Sequence, residues 1–213
     1  MSKNINKNSY NIIPFLYDIR GFFILTLSYQ NSLLTQIRFF SENLKGRHLE
    51  CAIGTATFTM ICMIYRRFLR KDKYQMVGVD YSAALLKGAK WKMRGSAIYE
   101  EDLRDMSFVD CSFDSINFAN GYHTINGVDK AMKEITRVLK PGGTLFVNIL
   151  LLPKDNFLQG IANWINRYGM EVGILKRPYT LEECKGFCST YGYELIHEEV
   201  TGNAYNLKCK KPE

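Results

Sequence analysis

Apolar and polar residues follow two regular patterns along the middle of the chain. Between residues 45 and 150, short apolar runs typical of buried strands are each followed by a longer segment whose apolar residues recur at helical spacing. The pattern predicts a first strand at Leu49, further strands at 75–80, 97–101, 113–119 and 144–152, and helices at 57–69, 83–93 and 128–139. This alternation predicts an α/β fold with a doubly wound, mostly parallel sheet.

The beginning of the chain departs from this alternation. Residues 1–9 are polar and rich in Asn and Lys, and we expect them to be disordered. Across residues 10–40 the apolar side chains recur at helical spacing, with predicted breaks at Pro14 and Gly21. A helix is predicted at 29–44, directly before the first strand. The chain therefore opens with a helical segment that precedes the sheet.

The end of the chain is predicted to add one more helix and two strands. Thr180 and Glu183 have the spacing of a capping box, which opens a helix running to residue 191. Apolar residues at 194–200 and 205–210 flank a turn that contains Gly202, and they predict an antiparallel pair. The sheet is therefore expected to end in antiparallel strands.

Length and composition fit a single globular domain. The chain has 213 residues, of which 46% are hydrophobic and 23% are charged, and both values are ordinary. We divide it into a tail with a helical segment at 1–44 and a main domain at 45–213. The net charge of +7 is spread without a dense basic block. It is compatible with an anionic substrate, nucleic acid or a membrane surface, and equally with an ordinary basic surface.

Cysteine usage and the longest early apolar run bear on the compartment. Six cysteines are scattered along the chain, as is typical of free thiols in a reducing cytosol, and no His or Cys cluster completes a metal site. The apolar run at 22–27 is far shorter than the ~20 residues that span a bilayer, and no cleavage-site pattern follows it. The sequence predicts a cytoplasmic protein with no bound metal and no transmembrane segment.

The turn after the first strand is made of small residues. Ala52, Gly54 and Ala56 stand at every second position, so the backbone there can lie close to a ligand. The helix that follows begins with backbone N–H groups that suit a carboxylate or phosphate. The spacing differs from the G-x-G-x-x-G of dinucleotide-binding proteins. A nicotinamide-dependent oxidoreductase is therefore disfavoured.

Glu50 and these small residues together resemble motif I of class I S-adenosylmethionine-dependent methyltransferases. The family usually has Gly where Ala52 and Ala56 stand. The sequence GVDYS at 78–82 resembles the family's G-x-D-x-S, and EEDLRDMSFVDCSFD at 100–114 resembles its next acidic segment. EITRVLKPGG at 134–143 is similar to the family's signature almost residue for residue, and the segment 120–125 resembles the branch of quinone C-methyltransferases.

The resemblance implies a seven-stranded sheet with a helical lid, S-adenosylmethionine as the cofactor and specific residues around it. Asp80 would bind the ribose hydroxyls, and Asp102, next to the acidic Glu100 and Glu101, would accept a hydrogen bond from adenine. The predicted cofactor-binding residues are Glu50, Ala52, Ile53, Gly54, Thr55, Asp80, Tyr81, Asp102, Leu103 and Asn120. The candidates for shaping the acceptor end or moving a proton are Tyr17 of the lid, Tyr122 and His123.

The predicted reaction is methyl transfer to a small, partly apolar acceptor. The lid and the segment 154–178 are rich in apolar and aromatic residues, which favours such an acceptor. No Asn/Asp-Pro-Pro-aromatic motif follows the fourth strand, and none of the five prolines precedes a Cys. Methylation of the adenine amino group and of cytosine C5, which use these two motifs, is therefore disfavoured. An RNA or protein methyltransferase and a catalytically silent binding module remain alternatives, and a homodimer is compatible with the sequence but not indicated by it.

Overall fold

Helices and strands alternate through most of the chain. The computed structural model describes residues 14–69 and 73–213. Residues 1–9 and Tyr10, predicted to be a disordered tail and part of the lid, lie outside these ranges. The elements are α1 (Pro14–Phe23), a π-helical segment (Ile24–Ser28), α2 (Leu33–Ser41), β1 (Gly46–Cys51), α3 (Thr57–Phe68), β2 (Tyr74–Asp80), α4 (Ala83–Lys92), β3 (Ala97–Glu100), β4 (Phe113–Phe118), a 3-10 turn (Tyr122–Thr124), α5 (Val128–Val138), β5 (Leu139–Leu150), α6 (Gln159–Glu171), α7 (Leu181–Lys185), α8 (Phe187–Tyr191), β6 (Glu194–Thr201) and β7 (Ala204–Lys210).

The strands form one seven-stranded sheet in the order β3-β2-β1-β4-β5-β7-β6. Strands β1 to β5 are parallel, whereas β7 is antiparallel to both β5 and β6. The strand order reverses between β1 and β4, which is where open α/β sheets place their ligands. The predicted doubly wound sheet with antiparallel C-terminal strands is confirmed.

Two apolar cores cover the two faces of the sheet. On one face, α2, α3 and α4 pack on strand residues such as Met76 and Phe146. On the other face, α5, α7 and α8 pack on residues such as Leu49, Ile116 and Val147. Because both faces are covered, the central parallel strands are buried along most of their length, although β1 and β4 carry several buried polar residues.

The boundaries near the N-terminus differ from the prediction. Gly21 lies inside α1 and does not break it, whereas Pro14 stands at the first helical position, which proline favours. The second helix begins at Leu33 and not at Tyr29. The reason is local, since Gln30 has a φ of 48° and a left-handed residue cannot continue a right-handed helix.

Three further boundaries differ from the sequence pattern. Strand β5 begins at Leu139, which pairs with Phe113, and regular pairing with β4 resumes at Thr144 after a bulge. The helix predicted at 180–191 is two short helices that meet at Gly186, although its capping box is present as predicted. The segment 154–178, predicted as an insertion near the pocket, carries α6.

Candidate functional site

One large cavity opens at the carboxyl ends of β1, β2 and β4, where the strand order reverses. Its volume is about 1480 Å³, which exceeds the ~300–1,000 Å³ of a pocket for one small ligand. Twelve of the thirteen predicted site residues line it: Tyr17, Glu50, Ala52, Ile53, Gly54, Thr55, Asp80, Tyr81, Asp102, Leu103, Asn120 and His123. The cavity has room for two molecules side by side.

The turn between β1 and α3 is held in an unusual conformation. Ala52, Gly54 and Ala56 all have positive φ values, of 54°, 59° and 63°. Glycine adopts this region freely, but an alanine in it costs roughly 1–2 kcal/mol because Cβ approaches the following carbonyl oxygen. The backbone is therefore strained at Ala52 and Ala56, and such strain is typical of ligand-binding turns.

Replacing Ala56 with Gly is expected to stabilise the fold. Glycine avoids the ~1–2 kcal/mol cost of an alanine in the left-handed region, but it loses ~0.5–1 kcal/mol more conformational entropy on folding. The free energy of unfolding is therefore expected to rise by about 0.5–1 kcal/mol. Urea unfolding measures it. Ala84→Gly, in the regular helix α4, is the matched control and should lose about 1 kcal/mol. A destabilised Ala56→Gly variant would contradict the strained turn.

Asp80 ties the turn to the start of the next helix. Its Oδ2 accepts a hydrogen bond from the backbone N–H of Gly54 at 2.8 Å, and its Oδ1 accepts one from Ser82 N–H at 2.9 Å. Ser82 in turn caps α4 through the N–H of Leu85, as the sequence predicts. Burial raises the pKa of Asp80, and the two backbone donors oppose that rise. The carboxylate lies on the cavity wall within reach of a diol.

Glu50 belongs to a buried polar network behind the turn. It is 3% exposed, and its Oε1 contacts Asn117 Nδ2 at 2.8 Å and His48 Nε2 at 3.1 Å. Asn43 Nδ2 donates to Asn117 Oδ1 and to the carbonyl of Ile116. Buried networks of this kind fix a single arrangement of the strands that they join. Glu50 therefore positions the end of β1 and also borders the cavity.

Asp102 is the one residue of its acidic cluster that lines the cavity among the described residues. Its neighbour Glu101 binds Ser107 instead. The Asp102 carboxylate is paired with Arg104, whose Nη2 lies 2.6 Å from Oδ2. Arg104 also lines the cavity, so this wall presents an ion pair and not a lone acid.

Asn120 follows β4 in a left-handed conformation, with a φ of 56°, which asparagine tolerates better than most residues. Its side chain and backbone both pair with Asn148 of β5, at 2.7 and 2.6 Å. The loop after β4 is therefore fixed to the sheet next to the switch point, on the cavity side.

The lid, defined here as α1 and the π-helical segment Ile24–Ser28, lies over the turn between β1 and α3. The Tyr17 ring is within 3.5 Å of where a Cβ on Gly54 would stand. Asp18 accepts hydrogen bonds from Thr55 Oγ1 and from Thr57 Oγ1, and it pairs with Lys92 at 2.7 Å. The lid is thus anchored by polar contacts to the same turn that would hold a cofactor.

Tyr122 and His123 point to different sides of the loop after β4. Both lie in the 3-10 turn, in which successive residues rotate by about 120°. The Tyr122 ring packs in the core against Tyr179 and Phe187, and it does not line the cavity. The structure therefore places Tyr122, predicted as a residue of the acceptor end, away from the cavity wall. His123 does reach the cavity wall.

Both ring nitrogens of His123 are engaged. The backbone N–H of Leu150 donates to Nδ1 at 3.2 Å, so Nδ1 carries no proton. Burial lowers the pKa of His123 to about 3, so the ring is neutral and its proton is on Nε2. That proton is donated to the hydroxyl oxygen of Tyr29, 2.6 Å away. His123 therefore holds Tyr29 in place and has no nitrogen left to accept a proton.

Tyr29 is a cavity residue that the sequence reading missed. Its hydroxyl accepts from His123 and keeps its own proton to donate. The β6–β7 turn fixes its backbone, because Asn203 N–H donates to the Tyr29 carbonyl at 2.6 Å and a Cβ on Gly202 would collide with that carbonyl. The only sequence signal was the turn at 201–203, which gave no indication that it would contact the lid.

The model of the family described as methyltransferase domain matches residues 49–147, which contain the turn, Asp80, Asp102 and the loop after β4. Residues 49–147 therefore match a methyltransferase domain. Among curated proteins, the domain is similar to a ubiquinone/menaquinone biosynthesis C-methyltransferase of Desulfotalea psychrophila, 27% identical over 65% of this chain and 54% of that protein. A demethylmenaquinone methyltransferase of Bacteroides fragilis is 33% identical over 51% of this chain and 44% of that protein. The predicted resemblance is confirmed at the level of the class.

A solved structure agrees with this placement. A SAM-dependent methyltransferase of Thermotoga maritima superposes with a TM-score of 0.67 over 93% of this chain and 98% of that one, at 18% identity. The likeness shows that the methyltransferase domain and the elements around it together have the same fold as that structure. The matched part of this chain spans about half the length of the two curated relatives.

The described residues show neither a metal site nor a helix that could span a membrane. Within residues 14–69 and 73–213, no three His, Cys, Asp or Glu side chains converge as metal ligands would. In the same ranges, every helix is too short or too polar to cross a bilayer.

Proposed function

We propose that this protein transfers a methyl group from S-adenosylmethionine to a small, partly apolar acceptor. The observation that carries the proposal is the cavity of about 1480 Å³ at the carboxyl ends of β1, β2 and β4. Its inner end is the strained turn with Asp80 and Asp102. Its outer end is lined by the lid and by apolar residues of the segment after β5, including Ile165, Met170 and Ile174. A cofactor and an acceptor fit at the two ends.

The inner end suits the cofactor by its shape and charge. The turn brings bare backbone to the cavity wall, and α3 begins there without a side-chain cap, so its first N–H groups suit the carboxylate of S-adenosylmethionine. The Asp80 carboxylate is placed to accept hydrogen bonds from the ribose, and Asp102, together with Arg104, lies where the adenine would reach. When bound, the cofactor supplies an activated methyl group.

The chain's own residues position the reactants and exclude water. Correct positioning alone lowers a barrier by ~7–11 kcal/mol, so a catalytic triad is not required. Tyr17 covers the turn, and Tyr29 lines the cavity with its hydroxyl hydrogen-bonded to His123. We propose that the Tyr29 hydroxyl donates a hydrogen bond to an oxygen or nitrogen of the acceptor and so orients it, and that His123 positions the hydroxyl.

Tyr29→Phe is expected to reduce methyl transfer without changing the affinity for the cofactor. Loss of one hydrogen bond to the acceptor lowers kcat/KM by about tenfold. The buried Nε2–H of His123 also loses its partner, so the free energy of unfolding should fall by about 1–3 kcal/mol. Steady-state kinetics and urea unfolding measure both effects. Tyr168→Phe, on the exposed face of α6, is the control. Unchanged kinetics in Tyr29→Phe would remove Tyr29 from the acceptor site.

The relatives narrow the acceptors to test first. Their names describe methylation in ubiquinone and menaquinone biosynthesis, and a hydroxylated aromatic ring would match the apolar side chains of the cavity and the Tyr29 hydroxyl. We therefore propose demethylated quinols as the first acceptors. RNA and protein acceptors are the alternatives within the same reaction class. The proposed location is the cytoplasm, because the six cysteines are free thiols.

Titration calorimetry with S-adenosylmethionine and with its demethylated product tests the cofactor, with NADH as the control. Micromolar binding of the first two alone would support the proposal, and an acceptor screen would follow. Equal binding of NADH would contradict it.

A catalytically silent binding module is the second candidate. The two left-handed alanines favour it, because they strain the turn that would cradle the cofactor. Absence of cofactor binding in the wild-type protein, restored in the double variant Ala52→Gly/Ala56→Gly, would support the silent module.

A further inference from the structure

Helix α1 carries its apolar side chains on the side away from the protein. Phe15, Leu16, Ile19, Phe22 and Phe23 are 69%, 48%, 41%, 53% and 55% exposed. At 3.6 residues per turn they share one face of about 120°. A large, contiguous apolar face of this kind marks an interaction surface in a folded protein.

The orientation of α1 is fixed by its opposite, polar side. Asp18 on that side pairs with Lys92 at 2.7 Å and with Thr57 at 2.8 Å, and Tyr17 lies over Gly54. Rolling the helix to bury its phenylalanines would break these contacts and expose a charged network. The polar contacts that anchor the lid therefore keep the apolar face of α1 turned outward.

The helix packed against α1 is basic. Residues 81–99, which include α4, contain four basic residues, Lys87, Lys90, Lys92 and Arg94, and no acidic residue. Lys87, Lys90 and Arg94 are exposed, and Trp91 between them is 68% exposed. At helical spacing these three cations lie on the side of α4 opposite Lys92, which contacts α1, so positive charge and the exposed indole stand one helix away from the apolar face of α1.

Helix α6 continues the surface on the other side of the lid, since it packs against the π-helical segment. Ile161, Trp164 and Tyr168 lie at helical spacing and are 45%, 67% and 47% exposed. The Trp164 and Tyr168 rings are stacked. Trp and Tyr favour the boundary between lipid and water, where their apolar rings and polar edges are both satisfied.

We propose that the outward face of α1, flanked by α4 and α6, docks on an anionic lipid bilayer. Phenylalanine and leucine side chains would enter the acyl boundary, the basic residues of α4 would meet acidic headgroups, and the aromatic side chains would lie between them. A second copy of the chain is a poorer partner, because the net charge of +7 opposes self-association near α4. Nucleic acid would leave the apolar face exposed.

Docking would place the cavity next to the membrane. Phe22 and Ile24 of the lid and Met170 of α6 line the cavity, and they adjoin the proposed surface. The docking surface goes beyond the proposed methyl transfer and does not depend on it, because vesicle binding is measured without cofactor or acceptor.

Flotation with vesicles of phosphatidylcholine, with and without phosphatidylserine, tests the proposal on the full chain. The apolar variant is Phe15→Gln/Ile19→Gln/Phe23→Gln, whose positions are outside the cavity lining. The charge variant is Lys87→Gln/Lys90→Gln/Arg94→Gln. The control is Val109→Gln/Ile196→Gln, which removes exposed apolar side chains elsewhere. Circular dichroism and urea unfolding establish that each variant is folded.

The wild type and the control are expected to float with vesicles that contain phosphatidylserine. The apolar variant should bind about tenfold more weakly or worse, and the charge variant about fivefold more weakly for each cation removed. Absence of wild-type flotation would overturn the proposal, as would equal flotation of the apolar variant. A wild-type dimer that the apolar variant converts to a monomer would overturn it in favour of a second copy.

Discussion

Asp80→Asn is expected to weaken the binding of S-adenosylmethionine by about 100-fold. The carboxylate would accept two charge-assisted hydrogen bonds from the ribose, worth about 1.5–3 kcal/mol each, and a neutral amide loses about 3 kcal/mol of that total. The wild-type carboxylate accepts hydrogen bonds from the N–H groups of both Gly54 and Ser82, and the amide oxygen of the variant can still accept one of them. The free energy of unfolding should therefore fall by only about 1 kcal/mol. Titration calorimetry and urea unfolding measure the two effects.

Glu100→Gln is the matched control for this prediction. Glu100 ends β3 directly beside Asp80 in the sheet register, but its side chain is exposed and outside the cavity lining. The Glu100→Gln substitution removes the same negative charge a few ångströms from Asp80. Equal weakening in both variants would mean that long-range charge is responsible and not contact with the ribose. A folded Asp80→Asn variant with normal affinity would remove Asp80 from the cofactor site.

The central fold was predictable because each strand and helix there has a local signal. The apolar run of β2 ends at Asp80, and Ser82 caps the next helix by its own side chain. Parallel strands place their carboxyl ends at one edge, so the turn after β1, Asp80 and Asp102 were expected to meet. The structure places all three on the wall of one cavity.

Other features depend on contacts between distant residues. The sequence 122–124 gives no indication that a 3-10 turn sends Tyr122 into the core and His123 to the cavity. The position of Tyr29 depends on Asn203, which is 174 residues away in the chain. The apolar spacing of α1 predicted a helix correctly, but periodicity alone does not say whether the apolar face is inward or outward.

Acidification is expected to destabilise the protein through His123. Burial lowers the pKa of His123 to about 3 in the folded state, from the ordinary histidine value of 6.5 in the unfolded chain. Between these values the unfolded chain binds a proton that the folded protein does not, so stability is retained above pH 6.5 and is lost as the pH falls. Each pH unit costs about 1.4 kcal/mol, or about 2 kcal/mol from pH 6.5 to about pH 5.

Urea unfolding between about pH 7 and pH 5, compared between the wild type and His123→Gln, measures this contribution. Glutamine does not titrate, so the variant should lose about 2 kcal/mol less than the wild type over the same interval. His197→Gln, at an exposed position on β6, is the matched control and should retain the wild-type pH dependence. Identical pH dependence in His123→Gln and the wild type would mean that the histidine is protonated in the folded protein. A protonated Nδ1 could not accept the hydrogen bond from Leu150 N–H, so the assignment of a neutral His123 with its proton on Nε2 would lose its basis.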